Sequence, residues 1–170
     1  MEKLKYPIYL IGLPGSGKSS IGILLSKKLN LKHIDLDKKI VEKENTNIYD
    51  LIKIKGEKYF RFIETEILKK NSYGKKIISC GGGIVLNPTH KNIMKKGTVV
   101  YLITDLEKIK NRLSRGKKRP LMEKYTIEQL HNIRKKKYIE FSDLVVENNK
   151  EKKDVVEKII SKLEELIWKY

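Results

Sequence analysis

The chain has 170 residues, is 39% hydrophobic and carries a formal net charge of +17. That length and apolar content suit one domain with a full core, and no apolar run approaches the ~20 residues that a membrane-spanning helix needs. A single cysteine, Cys80, excludes an internal disulfide and a cysteine metal cluster.

The basic excess raises nucleic acid, acidic lipid and anionic substrates as partners. The lysines, however, are spread along the whole chain, which favours solvated helix faces over a nucleic-acid surface. Met1-Glu2-Lys3-Leu4-Lys5 leads straight into the first predicted strand and leaves no room for a signal peptide. The expectation is a cytosolic chain that binds neither membrane nor nucleic acid.

In chain order, the first predicted strand is Ile8-Tyr9-Leu10-Ile11. It runs into Gly12-Leu13-Pro14-Gly15-Ser16-Gly17-Lys18-Ser19, and Ser20 to Leu25 then open a helix. This is G-x-x-x-x-G-K-[ST] between a strand and a helix. The glycines let successive N–H groups turn inward onto phosphate oxygens, and the helix N-terminus adds partial positive charge. An ATP or GTP phosphate site is predicted here, with Gly15, Ser16, Gly17, Lys18, Ser19 and Ser20 against the nucleotide. Lys18 would reach the β- and γ-phosphates and the Ser19 hydroxyl would ligate Mg²⁺.

Ile21, Leu24, Leu25 and Leu29 share one helix face, which stops near Asn30. A second strand, Leu31 to Ile34, ends at Asp35-Leu36-Asp37. In extended chain those carboxylates point to opposite sides, which predicts separate jobs: one holds Mg²⁺ through water and the other faces a substrate hydroxyl as base. A helix N-cap followed by a first-turn acid is the structural alternative. Helices are predicted near Asp37–Glu44, Ile48–Lys55 and Glu57–Lys70. The buried-type strand Ile77-Ile78-Ser79 then runs into Gly81-Gly82-Gly83, where three glycines predict a close approach of a ligand or phosphate to the backbone.

Pro88 to Lys96 reads as helix, Thr98 to Ile103 as the clearest strand, and Leu106, Ile109 and Leu113 as a helix face begun at Asp105. Arg115 to Lys124 has no apolar period and carries Gly116 and Pro120, so a mobile loop is expected. Ile127–Phe141 returns to helix, Leu144-Val145-Val146 is the last strand, and Val155 to Ile167 line a closing helix. Strand–helix alternation predicts a parallel sheet with helices on both faces and ligands at the strands' C-terminal ends. Arginines are few beside the lysines. Arg61, Arg119 and Arg134 stand out, because the guanidinium fork matches carboxylates and phosphates.

Six of these pieces, in order, resemble the shikimate kinase family over essentially the whole chain. They are Gly12 to Ser19; Asp35-Leu36-Asp37; Gly56-Glu57-Lys58-Tyr59-Phe60-Arg61-Phe62-Ile63-Glu64; Ser79-Cys80-Gly81-Gly82-Gly83; Arg119-Pro120-Leu121; and Arg134 with Tyr138, Glu140 and Asp143. The resemblance implies an α/β, three-layer P-loop kinase fold with a central parallel five-stranded sheet flanked by helices. It implies a single domain over 1–170, with a shikimate-binding helical region at about 35–64 and a mobile lid at about 115–124. ATP and Mg²⁺ are the implied cofactors, with Asp35 and Ser19 at the metal. Asp37 would contact the hydroxyl that is phosphorylated, acting with Lys18 and Arg119 as the catalytic set. Arg61 and Arg134 would bind the shikimate carboxylate, Gly82 and Gly83 would lie against the ring, and Arg119 would reach the phosphates from the lid. Arg112 matches the family arginine that stacks on adenine. Where the family often has a proline before the last helix, this chain has Asn148-Asn149-Lys150-Glu151.

The implied reaction is ATP plus shikimate to shikimate 3-phosphate plus ADP, on the route to chorismate and aromatic amino acids, in a cytoplasmic monomer. Three other readings stay open at this point. One is another small-molecule P-loop kinase acting on a carboxylate-bearing acceptor. A second is a nucleic-acid module resting on Lys117-Lys118-Arg119 and Arg134-Lys135-Lys136-Lys137. The third is a catalytically silent scaffold.

Overall fold

The computed structural model describes residues 4–114 and 125–168, with Trp168 by its backbone only. The predicted loop over Arg115 to Lys124, and Arg119 with it, lies outside the described residues. Strand β1 is Ile8–Ile11, followed by helix α1, Lys18–Lys28. Next come β2, Lys32–Asp35, helix α2, Leu36–Glu44, and helix α3, Ile48–Asn71. Strand β3 is Lys76–Ser79, a short 3-10 turn spans Ile84–Leu86, and α4 is Thr89–Met94. Then come β4, Thr98–Ile103, α5, Leu106–Ser114, α6, Ile127–Phe141, β5, Leu144–Glu147, and α7, Lys152–Trp168.

The strands form one sheet in the order β2-β3-β1-β4-β5, and every pairing is parallel. Parallel strands need crossovers, and the crossovers place helices on both faces, so the inner strands must be apolar on both sides. All four residues of β1 are buried. Tyr9, Ile11, Ile78 and Tyr101 pack into one core with α2, α3 and α6; Ile8, Leu10, Ile77 and Val100 pack into the other with α1 and α7. The edge strand β2 is polar at every position but Ile34, which suits a strand with one open side. Lys27 and Lys28 close α1 and Lys69 and Lys70 close α3, where cations complement the helix carbonyl end.

Two local features aim side chains at the C-terminal end of the sheet. Gly56, at φ 82° and ψ 160°, breaks α3, so the two helices expected over 48–55 and 57–70 are two arms of one bent element. Its second arm sets Glu57, Arg61 and Glu64 on one face. Helix α6 starts in a capping box, Thr126 accepting from Gln129 N while the Gln129 side chain accepts from Thr126 N. That fixed start carries Arg134 and Tyr138, one turn apart, toward the sheet. Among the described residues no helix is long and apolar enough to cross a membrane.

Candidate active site

The loop from Gly12 to Gly17 leaves β1 next to the point where the chain, having laid β2 and β3 on one side of β1, moves to β4 on the other. Crevices at such a switch point are where open α/β sheets hold ligands. Gly15 and Gly17 have φ of 78° and 91°, the left-handed region that side chains resist. The loop's carbonyls are drawn off by protein donors. Arg112 Nη1 donates to Gly15 O (3.2 Å), Thr104 Oγ1 and Asn148 Nδ2 to Ser16 O (3.1 and 2.6 Å), and Ser79 Oγ to Lys18 O (3.0 Å). Lys18 Nζ itself donates to Gly12 O and Leu13 O at 3.0 and 2.8 Å. With those carbonyls engaged, and apart from the Ser16 N–H, which donates to Leu13 O at 3.1 Å, the loop N–H groups and the N-terminus of α1 are left to face an anion.

Ser19 Oγ donates to Asp35 Oδ2 at 2.5 Å, and Asp35 Oδ1 accepts from Lys38 N at 3.2 Å. Asp35 is thus the N-cap of α2 and Asp37 lies in its first turn. This corrects the extended-chain picture of the two carboxylates: the strand ends at Asp35, and helical rise rather than strand alternation separates them. The capping alternative and the two-job reading turn out to be compatible, because Asp35 caps with one oxygen and meets Ser19 with the other.

An open cleft of about 1170 Å³ runs from this loop past Asp37 to Arg61, Glu64 and the Gly81–Gly83 turn. Of the predicted site residues, Gly15, Gly17, Lys18, Ser19, Ser20, Asp35, Asp37, Arg61, Gly82, Gly83 and Arg112 line it, whereas Ser16 is fully buried and does not. Besides the expected ligand approach, the protein itself requires the three glycines. A Cβ would stand 2.7 Å from Asp37 Oδ1 at Gly81, 2.7 Å from Pro14 Cδ at Gly82, and 2.5 Å from the Arg61 guanidinium at Gly83. The turn is bare because three site side chains already occupy the space around it.

Arg61 Nη1 donates to Glu64 Oε2 (2.8 Å) and Nη2 to Glu57 Oε1 (3.1 Å). Burial opposes the Arg61 charge, but Glu64 and Glu57 outweigh it and raise its pKa. Glu64 is 1% exposed and its Oε1 has no hydrogen-bond partner. Burial raises its carboxyl above the ordinary range, and the pull of Arg61 and Arg134 does not cancel this. Arg134 is 2% exposed and stands behind the glycine turn rather than on the cleft wall, its Nη1 donating to Gly82 O (3.0 Å) beside the Tyr138 hydroxyl on the same oxygen (2.5 Å). Cys80 is buried and its thiol is pushed up by burial, so it is no nucleophile.

Sequence reasoning assigned no role to Glu64, Tyr138, Thr104, Asn148 or Ser79. Glu64 was findable, because it falls three residues after Arg61 on a helix, and Tyr138 likewise falls four after Arg134. Thr104 and Asn148 meet the loop from 88 and 132 residues away, which no local pattern shows. In the segment without the family's proline, Asn149 exchanges two hydrogen bonds with Asp105, receiving its N–H at 2.9 Å and donating to its carboxylate at 2.7 Å. Asp105 is thereby tied down as the start of α5.

Donor chemistry decides whether a cation fits. Among the described residues no group of three His, Cys, Asp or Glu could cage a metal. One hydroxyl and one carboxylate, from Ser19 and Asp35, suit an ion such as Mg²⁺ that keeps its waters and takes phosphate oxygens.

Comparison with known proteins agrees with this geometry. The family model described as shikimate kinase matches residues 14–164. The shikimate kinase of Sulfurihydrogenibium sp. (strain YO3AOP1) is 39% identical over 161 residues, covering 92% of this chain and 96% of the relative. That of Aquifex aeolicus (strain VF5) is 37% identical, covering 92% and 95%. Among solved structures, shikimate kinase from Acinetobacter baumannii in complex with shikimate superposes with a TM-score of 0.88 at 31% identity, covering 94% of this chain and 93% of that one. A phosphate loop, a carboxylate at the edge strand and an arginine-backed glycine turn, matched over nine-tenths of the chain, place this protein in the shikimate kinase family.

Proposed function

We propose that the chain transfers the γ-phosphoryl group of ATP to the 3-hydroxyl of shikimate, giving shikimate 3-phosphate and ADP (EC 2.7.1.71). The observation that carries the reading is that the phosphate loop, Asp37, Arg61 and the glycine turn line one cleft. A nucleotide held at the first would present its terminal phosphate toward the second. An acceptor whose carboxylate pairs with Arg61 would present a ring hydroxyl at the same place.

Phosphoryl transfer has a loose transition state with charge spread over the γ-oxygens, so positioning and charge stabilisation dominate. Lys18 supplies positive charge from the loop. Arg119, by the family resemblance, adds a second charge from the segment 115–124. Asp37 orients the acceptor hydroxyl and takes its proton. Ser19 and Asp35 would hold Mg²⁺, which when bound neutralises charge on the bridging phosphate oxygens. Arg112, by the family resemblance, would lie along the adenine, and its Nη1 reaches Gly15 O of the loop. Arg134 completes the acceptor end with Gly82 and Gly83, acting at the carboxylate from behind the turn it supports. We extend the reading to a cytoplasmic monomer, as the family resemblance implies.

A coupled assay of ADP release tests this. Release should require shikimate together with ATP and Mg²⁺. Release with gluconate or a nucleoside monophosphate but not with shikimate would assign a different acceptor.

A further inference from the structure

Strand β2 reaches the first turn of α1 once directly and once through Ser79 of β3. Asp35 accepts from Ser19. Two residues earlier, and so on the same face of the strand, His33 Nε2 lies 2.9 Å from Ser79 Oγ, and Ser79 Oγ donates to Lys18 O at 3.0 Å. The serine hydroxyl has one hydrogen, and the Lys18 carbonyl takes it. The imidazole must therefore present an N–H to the serine oxygen, which it does through Nε2 whether neutral or charged. The chain of donors runs His33, Ser79, Lys18 carbonyl. Ser79 is 2% exposed, so this bond is shielded from competing water.

The helix makes room for it. Gly22 is one turn beyond Lys18 in α1, and a Cβ there would stand 2.6 Å from both His33 Nε2 and Ser79 Oγ. Glycine is a poor helix former, yet any other residue at 22 would collide with the pair. His33 does not line the cleft and touches no group assigned to the nucleotide.

We propose that His33 is a positioning residue for nucleotide binding: through Ser79 it holds the carbonyl of Lys18, and with Asp35 on Ser19 it fixes the first turn of α1 against the edge strand. This rests on the reading of residues 12–19 as the phosphate site. The device sets where the Lys18 amine and the Ser19 hydroxyl stand, so its loss should weaken nucleotide binding and leave the acceptor end untouched.

The test measures equilibrium affinity of the full chain for MgADP and, separately, for shikimate. Losing one neutral hydrogen bond corresponds to about a three- to tenfold change. His33→Phe and Ser79→Ala should each weaken MgADP binding by about that factor, and the double variant should be no weaker than the worse single one. His33→Gln, whose amide can place an N–H near the same point, should return most of the affinity. Gly22→Ala should weaken MgADP although helix propensity favours it. Shikimate affinity should hold throughout. Should His33→Phe fail to fold, Ser79→Ala and His33→Gln still decide the matter. MgADP affinity unchanged in Ser79→Ala and His33→Phe, His33→Gln as weak as His33→Phe, or an equal loss for shikimate would each overturn the proposal. Lys18→Ala separates the two levels: if it binds MgADP as the wild type does, the phosphate-site reading fails as well, whereas a weakened Lys18→Ala beside an unaltered His33 series removes only the positioning role.

Discussion

Ser19 Oγ and Asp35 Oδ2 stand 2.5 Å apart, joining the end of the phosphate loop to the end of the edge strand. In the proposed function this pair would hold Mg²⁺. Asp35→Asn keeps the N-cap, since asparagine caps as well as aspartate, but removes the negative charge. The Mg²⁺ concentration for half-maximal activity should rise by about 10–100-fold, with thermal stability nearly unchanged. A magnesium titration that superposes on the wild type would remove Asp35 from the metal's surroundings.

Lys18 Nζ donates to two backbone carbonyls of its own loop, Gly12 O and Leu13 O. Both of those bonds stay within the phosphate loop, so the effect of removing the amine should fall mainly on turnover and less on stability. Loss of one preorganised charge-stabilising donor lowers turnover by about 10²–10³. Steady-state rates and a melting curve on Lys18→Ala check both halves. A variant that still turns over at the wild-type rate would mean the phosphates are held elsewhere.

Much of this was legible in the sequence because it is local. The phosphate loop needs its glycines in a fixed order, and the strands are short apolar runs between punctuating glycines and aspartates. The bend at Gly56 was readable for the same reason. What the chain did not show is tertiary. The Gly81–Gly83 turn suggested an incoming ligand, and its glycines answer as well to Pro14, Asp37 and Arg61, which sequence keeps up to 68 positions away from them. The Asp35–Asp37 pair reads equally as strand alternation or as an N-cap with a first-turn acid, and only the fold decides for the cap. Arg134 was read by its chemistry alone; its burial under Gly82 depends on how α6 packs, which spacing does not encode.

Glu64 gives a pH signature. Its carboxyl is raised by burial above the unfolded value of 4.5. A raised carboxyl means the native state binds the proton more tightly, so native stability falls as pH rises from 4.5 through the folded-state pKa. Glu64→Gln cannot ionise and lacks this slope, while Glu57 still engages Arg61. The melting temperature of the wild type minus that of Glu64→Gln should therefore decline from pH 4.5 upward and level off above the folded pKa. A difference that instead grows with pH would mean the ion pair with Arg61 outweighs burial.

The two ends of the cleft can be separated by kinetics. Arg61 lines the cleft, and a charged hydrogen bond is worth about 1.5–3 kcal/mol, or one to two decades in a binding constant. Arg61→Ala should raise the Michaelis constant for shikimate by that amount and move the constant for ATP far less. Arg134→Ala should do the same and also lower the melting temperature, because it leaves Gly82 O with Tyr138 as its remaining side-chain donor. Asp37→Asn gives the contrast: it keeps the shape but not the proton acceptor, so turnover should drop more than acceptor affinity does. An acceptor analogue without the carboxylate should be poor for the wild type and little worse for the Arg61 and Arg134 variants. If the arginine changes raise the ATP constant and spare that of shikimate, nucleotide and acceptor occupy the cleft in the opposite order.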